Sequence, residues 1–204
     1  DKALEVCFGG GFGRVLLRGD TDFSQTTHLD RWDADQRVRF IFGYDNRPNL
    51  IALADGLPER AWKTLERPAR YEVQTQPRQR PDNVKEAIVV ARQFENVRLC
   101  GEEVAELNYQ PTACRQVYRL VVVRKNLSRQ KGEQVLFDEI RYLFYLTNEW
   151  VLEANEIVYA ANDRCDQENL LAQLHSGVRA LRAPLANLES NWAYMVMTGL
   201  AWNL

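Results

Sequence analysis

The sequence predicts an α/β protein from the order in which strand-like and helix-like segments follow one another. Two short apolar runs, RVLLRGD at residues 14–20 and VRFIFGYDN at residues 38–46, are typical of buried strands. Residues 50–65 and the tail from residue 149 to 204 carry the composition and spacing of helices. Segments that alternate in this way indicate an α/β core.

The chain is predicted to open with a helix at residues 1–8. The cluster FGGGFG follows it and is interpreted as a helix C-cap and turn, because a nucleotide-binding loop needs its glycines between a strand and a following helix. TTHLDRWDADQ is predicted to be helical or irregular, and DNRPN is predicted to be the turn that ends the second strand.

The middle of the chain differs in character from both ends. ERPARYEVQTQPRQRPDN, at residues 66–83, is rich in Pro and Arg, as boundaries and exposed connections are. Residues 87–148 are β-branched and aromatic and are predicted to be mostly strands. The sequence therefore predicts an α/β core that is interrupted by a β-rich insertion and closed by helices.

Composition excludes several classes of protein. The chain has 204 residues, of which 46% are hydrophobic and 26% charged, as in an ordinary globular protein. The four cysteines are scattered without a CxxC pair, so neither a zinc site nor a disulfide framework is indicated. No signal peptide is recognisable, and the apolar stretch Trp192–Trp202 is too short to span a bilayer, so we expect a cytoplasmic protein.

Two stretches carry residues suited to chemistry. Asp20 and Asp22 stand where the first strand ends, a position from which a rigid strand can hold an acid in a crevice and where ordinary turns also begin. In RCDQENLLAQLH, Arg164, Glu168 and His175 fall on one stripe of an α-helix. For that helix alone, an exposed Arg–Glu pair is the simpler interpretation.

A basic run lies in the predicted strand region, although the net charge of the chain is −2. No acid interrupts it, so it could meet phosphate groups. On charge alone, a solvated strand surface is the better interpretation. Its members are Arg115, Arg119, Arg124, Lys125, Arg129 and Lys131.

Six blocks together resemble, in order and over essentially the whole chain, the cut-and-paste DDE transposases of bacterial insertion sequences, most closely the group numbered thirteen-eighty. The blocks are LLRGDTDFSQTTHLDRW, NVKEAIVVARQFEN, YRLVVVRKN, FYLTN, RCDQENLLAQL and SNWAYMVMTGLAWNL. The resemblance implies an RNase H-like core in two parts, residues 1–66 and 145–204, separated by the β-rich insertion at 67–144. It also implies three carboxylates that hold two Mg²⁺ or Mn²⁺ ions, and a metal-dependent endonuclease and strand-transfer activity on DNA.

Carried over by position, Asp20 matches the second aspartate of this family and Glu168 its final glutamate. Asp22 is interpreted as an acid that forms a turn or caps a helix. Arg164 matches the conserved arginine of the motif around the glutamate, whereas Ala161 and His175 replace its tyrosine and lysine. The resemblance therefore implies that Asp20 and Glu168 bind metal, that Arg164 and His175 contact phosphate, and that the basic run at residues 115–131 contacts the DNA backbone.

The family's first aspartate has no counterpart in the chain and would precede residue 1, so we expect a carboxyl-terminal segment of a transposase that is inactive alone. The implied partner is double-stranded DNA, as transposon ends and target, bound by a homodimer. The implied location is the bacterial cytoplasm, with no membrane contact and with nucleoid association on DNA. The alternative is a truncated, non-catalytic remnant that binds DNA or oligomerises.

Overall fold

The computed structural model of the chain describes residues 1–23, 25–67 and 83–203, apart from the side chains of Phe23 and residues 164–167. Most of the predicted boundary at residues 66–83 thus lies outside the described residues. The chain forms two compact units, Asp1–Ala161 and Asn162–Leu204.

Seven α-helices and six strands occur in the part of the chain that is described. The helices are α1 (Lys2–Gly9), α2 (Leu29–Asp33), α3 (Pro48–Asp55), α4 (Val84–Ala91), α5 (Ala154–Asn162), α6 (Arg164–Ala172) and α7 (Leu188–Trp202). The strands are β1 (Val15–Gly19), β2 (Val38–Tyr44), β3 (Lys63–Thr64), β4 (Glu95–Tyr109), β5 (Tyr118–Lys131) and β6 (Gln134–Thr147). Short 3-10 turns lie at Thr21–Phe23, Thr26–His28 and Glu59–Ala61, and a π-helical turn lies at Gln173–Gly177.

The six strands form one mixed sheet in the order β1-β2-β6-β5-β4-β3. β1 and β2 are parallel, and every other neighbouring pair is antiparallel. The parallel pair needs a crossover between its strands, and α2 lies within that connection. The long strands β4, β5 and β6 join the sheet through pairing of β6 with β2.

Both faces of the sheet are covered over its central part. On one face, the aromatic residues Phe40, Phe42 and Phe144 pack with side chains from α2 and α3. On the other face, Ile157 and Val158 of α5 pack against the middle of β5. Burial on both sides explains why β2 is a nearly continuous apolar run.

A carboxylate ties α2 to the loop before β5. Asp30 accepts hydrogen bonds from the backbone N–H of Arg115 at 2.7 Å and from the hydroxyl of Tyr118 at 2.6 Å. The bond from the Arg115 N–H is the main cause of a lowered pKa for Asp30, because it favours the ionised carboxylate. The positive charge of Arg115 lowers the pKa of Asp30 further, as a smaller contribution.

The coarse prediction of a mixed α/β chain is confirmed, with a strand at Val15–Gly19, a strand at Val38–Tyr44 and a helix at Lys2–Gly9. The RNase H-like core and the three-part division at 1–66, 67–144 and 145–204 stay predictions. No described helix has the length and apolar character needed to cross a membrane.

Two local predictions were wrong. The helix predicted over residues 50–65 ends at Asp55, because Gly56 and Pro58 follow it. EAIVVAR was predicted to be a strand and lies largely in α4. The Asn83 side chain caps that helix by accepting from the Glu86 N–H and donating to the Glu86 carboxylate, so capping overrides the β-branched composition.

Candidate functional site

Asp20 follows the last residue of β1 directly, at the edge of the sheet where the parallel strands β1 and β2 both end. Its Oδ1 accepts a hydrogen bond from the backbone N–H of Asp22 at 3.2 Å, which closes a tight turn. The turn role predicted for Asp22 is therefore performed by the Asp20 side chain, and Asp22 lies in the 3-10 turn that follows. The carboxyl end of parallel strands is where open α/β sheets commonly place ligand sites.

Gly43 of β2 lets the backbone around Asp20 approach the sheet closely. A Cβ at this position would lie 3.3 Å from the Thr21 nitrogen and 3.4 Å from the Asp20 carbonyl carbon. Both neighbours are backbone atoms, so they could move only by shifting the turn itself. The absence of a side chain at residue 43 thus sets the position of the Asp20 carboxylate.

We expect Gly43→Ala to displace the Asp20 turn and to lower the free energy of unfolding by about 1–3 kcal/mol, the usual range for overpacking a fitted site. Urea unfolding measures this loss. Gly101→Ala is the matched control, because it is also a strand glycine and its Cβ would meet only the Asn126 side-chain nitrogen, at 4.0 Å. Equal losses for the two variants would contradict the assigned role of Gly43.

Two further contacts surround the carboxyl end of β1. Arg18 donates from Nη1 to the carbonyl of Ala160 at 2.9 Å, which joins β1 to the last turn of α5. Such a bond satisfies one of the carbonyls left free at a helix end. Asp45 follows β2 and forms an ion pair with Arg47 at 3.5 Å, and its carbonyl accepts from the Arg47 N–H, as predicted for a turn residue.

Glu168 lies in α6, in the second unit, whereas Asp20 lies in the first. That the two carboxylates share one site stays a prediction.

The other residues of the predicted helical stripe have different outcomes. The side chain of Arg164 lies outside the described residues. His175 lies in the π-helical turn and not in a continuous α-helix, and its Nδ1 is 3.4 Å from the Ser176 Oγ. A π-helical turn holds more residues per turn than an α-helix, so the predicted alignment of Glu168 with His175 does not follow from α-helical spacing.

The structure pairs most cations of the basic run with acids on neighbouring elements. Four of the six residues are in ion pairs: Arg119 with Glu106, Arg124 with Glu59 and Glu103, Lys125 with Glu102, and Arg129 with Glu139. Arg115 and Lys131 form no salt bridge with described residues. The charge-based case for a continuous DNA-binding surface is weaker as a result.

Arg119 and Arg124 are held more firmly than surface residues. Arg119 is only 6% exposed, and it donates to Glu106 and to the backbone carbonyls of Glu149 and Leu152. Arg124 donates to two carboxylates, and its guanidinium lies 4.4 Å from the ring centre of Trp62. These contacts give both arginines a structural role in the sheet.

Sequence reasoning missed the acids that neutralise the run. Three of them lie in GEEVAE of β4, and the cross-strand register places Glu103 beside Arg124 and Glu102 beside Lys125. The signal was present, because an acidic strand next to a basic strand is the expected pattern for cross-strand ion pairs. Recognising it required the register of β4 against β5, which composition does not give.

The described residues contain no group of three or more His, Cys, Asp or Glu side chains arranged to hold a metal ion. Asp20 and Glu168 supply the hard oxygen donors that Mg²⁺ and Mn²⁺ prefer, and Mg²⁺ commonly binds through one or two protein carboxylates. The donor chemistry of the two predicted ligands therefore fits such an ion. No family model, curated protein or solved structure matches the chain.

Proposed function

We propose that this chain is the carboxyl-terminal part of a cut-and-paste DDE transposase with an RNase H-like core, which performs metal-dependent cleavage and transfer of DNA strands. Asp20 and Glu168 are two ligands of its divalent ions, and the first aspartate lies on a strand before residue 1. The order of the six sequence blocks supports the class of protein. The observation that carries the proposal is the position of Asp20, at the carboxyl end of a parallel strand and fixed there by the close approach to Gly43.

Glu168 is proposed as the second ligand because the block RCDQENLLAQL resembles the family's block around its final glutamate. Within the first unit, Arg18 donates to the carbonyl of Ala160 and so fixes the end of β1, two residues before Asp20, against α5.

When bound, two Mg²⁺ or Mn²⁺ ions supply activation of the attacking oxygen and stabilisation of the leaving oxygen in a phosphoryl displacement. Asp20 would hold metal with an orientation set by its turn, and Glu168 would hold metal from α6. Arg164 and His175 would hold a phosphate of the DNA, because charged and imidazole N–H groups donate to phosphate oxygens. Such contacts position the backbone next to the acids.

We propose that only part of the basic run contacts DNA. Arg115 and Lys131 are the members that form no salt bridge with described residues, so they can meet phosphates without losing a partner. Arg124, Lys125 and Arg129 would have to exchange a carboxylate for a phosphate, which cancels part of the gain. Arg119 is too buried to reach DNA without unfolding of its surroundings. The bound protein would be a homodimer on double-stranded DNA.

The test compares the 204-residue chain with the protein that includes the residues encoded upstream of Asp1. The substrate is a duplex that carries the DNA flanking the gene, in the presence of Mn²⁺. We expect strand cleavage by the extended protein only, with none in Ca²⁺ or EDTA.

The outcomes separate the proposal from its alternative. Binding of this duplex by the extended protein without Mn²⁺-dependent cleavage would instead support a non-catalytic DNA-binding remnant. Cleavage by the 204-residue chain alone would contradict the assignment of the first aspartate to the upstream segment.

A further inference from the structure

The loop between β6 and α5, residues 148–153, presents two apolar side chains to solvent. Trp150 is 53% exposed, and its neighbour Val151 is 89% exposed. A single exposed apolar residue is ordinary, but two adjacent ones at the rim of a cavity form a contact surface. Both side chains are therefore available for contact with another molecule.

Hydrogen bonds on either side of Trp150 hold this loop in place. The buried Arg119 donates from Nη1 to the carbonyl of Glu149 at 3.1 Å and to that of Leu152. The Glu149 carboxylate accepts from the Val151 N–H at 2.8 Å. Because the backbone around the tryptophan is already ordered, a partner that binds here would lose little affinity to ordering the loop.

Trp150 and Val151 line one side of a cavity of about 430 Å³, a volume within the usual range of ligand sites. Glu106 and Asn108 of β4 line the other side. They share a face of the sheet with Arg119, because Asn108 lies directly opposite it. β4 is four interstrand spacings from β1, roughly 19 Å. The cavity is therefore separate from the carboxyl end of β1.

The residues that line the cavity leave one negative charge uncompensated. Glu106 is paired with Arg119, whose Nε donates to it at 2.8 Å. Glu153 also lines the cavity, is exposed, and forms no ion pair with a described residue. This charge repels a DNA phosphate. It attracts a cation, as does the face of the Trp150 indole.

The size and the donors of the cavity select among cations. A divalent metal ion needs several oxygen ligands, and only Glu153 offers a carboxylate without a cationic partner. A guanidinium on an aliphatic stem fits better, because it can stack on the indole and donate to the Glu153 carboxylate and the Asn108 amide oxygen. Its stem can pack on Val151. An ammonium is compact and strongly hydrated, so it would make fewer of these contacts.

We infer that this cavity is a docking site for a partner protein, which inserts an arginine side chain between the Trp150 indole and the Glu153 carboxylate. The exposed rim at Val151 contacts the residues next to that arginine, a surface that a free small cation would leave bare. The inference does not depend on the proposed function, because the site takes a ligand of opposite charge to DNA.

The test uses the 204-residue chain with isotope-labelled indole nitrogens, and the shift of the Trp150 Nε1–H resonance reports binding. Trp150→Phe assigns that resonance among the five tryptophans. The probe is a blocked alanine–arginine–alanine tripeptide, and its matched control carries citrulline, which keeps the shape of arginine without its charge. We expect a dissociation constant of about 0.1–10 mM for the arginine peptide, and binding at least about fivefold weaker for the citrulline peptide.

Glu153→Gln should weaken binding of the arginine peptide about threefold and leave binding of the citrulline peptide unchanged. Glu133→Gln is the matched control, because Glu133 is an exposed acid in the turn between β5 and β6, at the far end of those strands. Trp192, which is 63% exposed on α7, is the internal control for an indole outside the cavity. Far-UV circular dichroism checks that each variant folds.

Three results would overturn the inference. Equal affinity for the arginine and citrulline peptides would show that the cavity does not recognise charge. Equal shifts of the Trp150 and Trp192 resonances would show a general attraction of cations to exposed indoles. Binding of n-butylguanidinium as tight as that of the arginine peptide would assign the cavity to a small cation and not to a protein. None of these results bears on strand cleavage, so the proposed function is tested separately.

Discussion

Asp20→Asn and Glu168→Gln are each expected to reduce Mn²⁺-dependent strand cleavage by the upstream-extended protein at least 100-fold. Both changes keep the shape of the side chain and remove the charge that binds a divalent ion. Residues that only orient metal ligands typically cost 10- to 100-fold when changed, so the loss of a ligand should be at least as large. The initial rate of duplex nicking at saturating Mn²⁺ measures the effect.

The matched control for Asp20 is Asp22→Asn, which changes an acid in the same turn. Asp22 contributes a backbone N–H to Asp20, and the amide substitution leaves that donor in place. Glu189→Gln, in the first turn of α7, is the control for Glu168. If the two control variants lose as much cleavage as the two ligand variants, general charge on DNA would explain the losses and the metal-ligand assignment would fail.

Arg119→Ala is expected to lower the free energy of unfolding by about 2–4 kcal/mol. The change removes the donor for the carbonyls of Glu149 and Leu152 and leaves a cavity where the guanidinium was buried. Glu106 adds little to the loss, because its side chain is half-exposed and water can solvate it. Equilibrium unfolding in urea at neutral pH measures the difference.

Lys131→Ala is the comparison for Arg119→Ala within the same basic run. Lys131 is exposed at the end of β5, so its removal should change the free energy of unfolding by less than about 0.5 kcal/mol. In the extended protein, the same variant should weaken binding to DNA and reduce its salt dependence. A stable Arg119→Ala protein with weakened DNA binding would instead make Arg119 a DNA contact.

The parts of the fold that depend on strong local patterns could be predicted from the sequence. β1 and β2 are short apolar runs that end in glycine, aspartate or turn residues, and those runs need no partner to be recognised. The glycine cluster after α1 was also recognised, and Gly11 has the positive φ, +88°, that a turn glycine permits. In each case the signal lies within a few neighbouring residues.

Features that depend on distant partners could not be predicted in the same way. In the sequence, the basic run at residues 115–131 has no acidic neighbours, because its carboxylate partners lie on β4, β6 and the turn at Glu59–Ala61. The close approach of Gly43 to Asp20 depends on the parallel pairing of β1 with β2. Spacing along the chain does not encode either contact, because both arise only when the sheet is assembled.

The central claim is that Asp20 and Glu168 share one metal site. Two ions about 4 Å apart, each about 2 Å from its carboxylate oxygen, would bring the two carboxylates within roughly 8 Å of each other. In a chain whose four native cysteines have been replaced, Asp20→Cys combined with Glu168→Cys places a thiol at each position. Glu95→Cys combined with Glu168→Cys is the control pair, since Glu95 is at the outer end of β4.

The most direct measurement is therefore the yield of intramolecular bridging by a thiol reagent that spans about 8 Å, identified by peptide mapping of the 204-residue chain. The account predicts efficient bridging between positions 20 and 168 and little between positions 95 and 168. Bridging at 20 and 168 no greater than in the control pair would contradict the shared site.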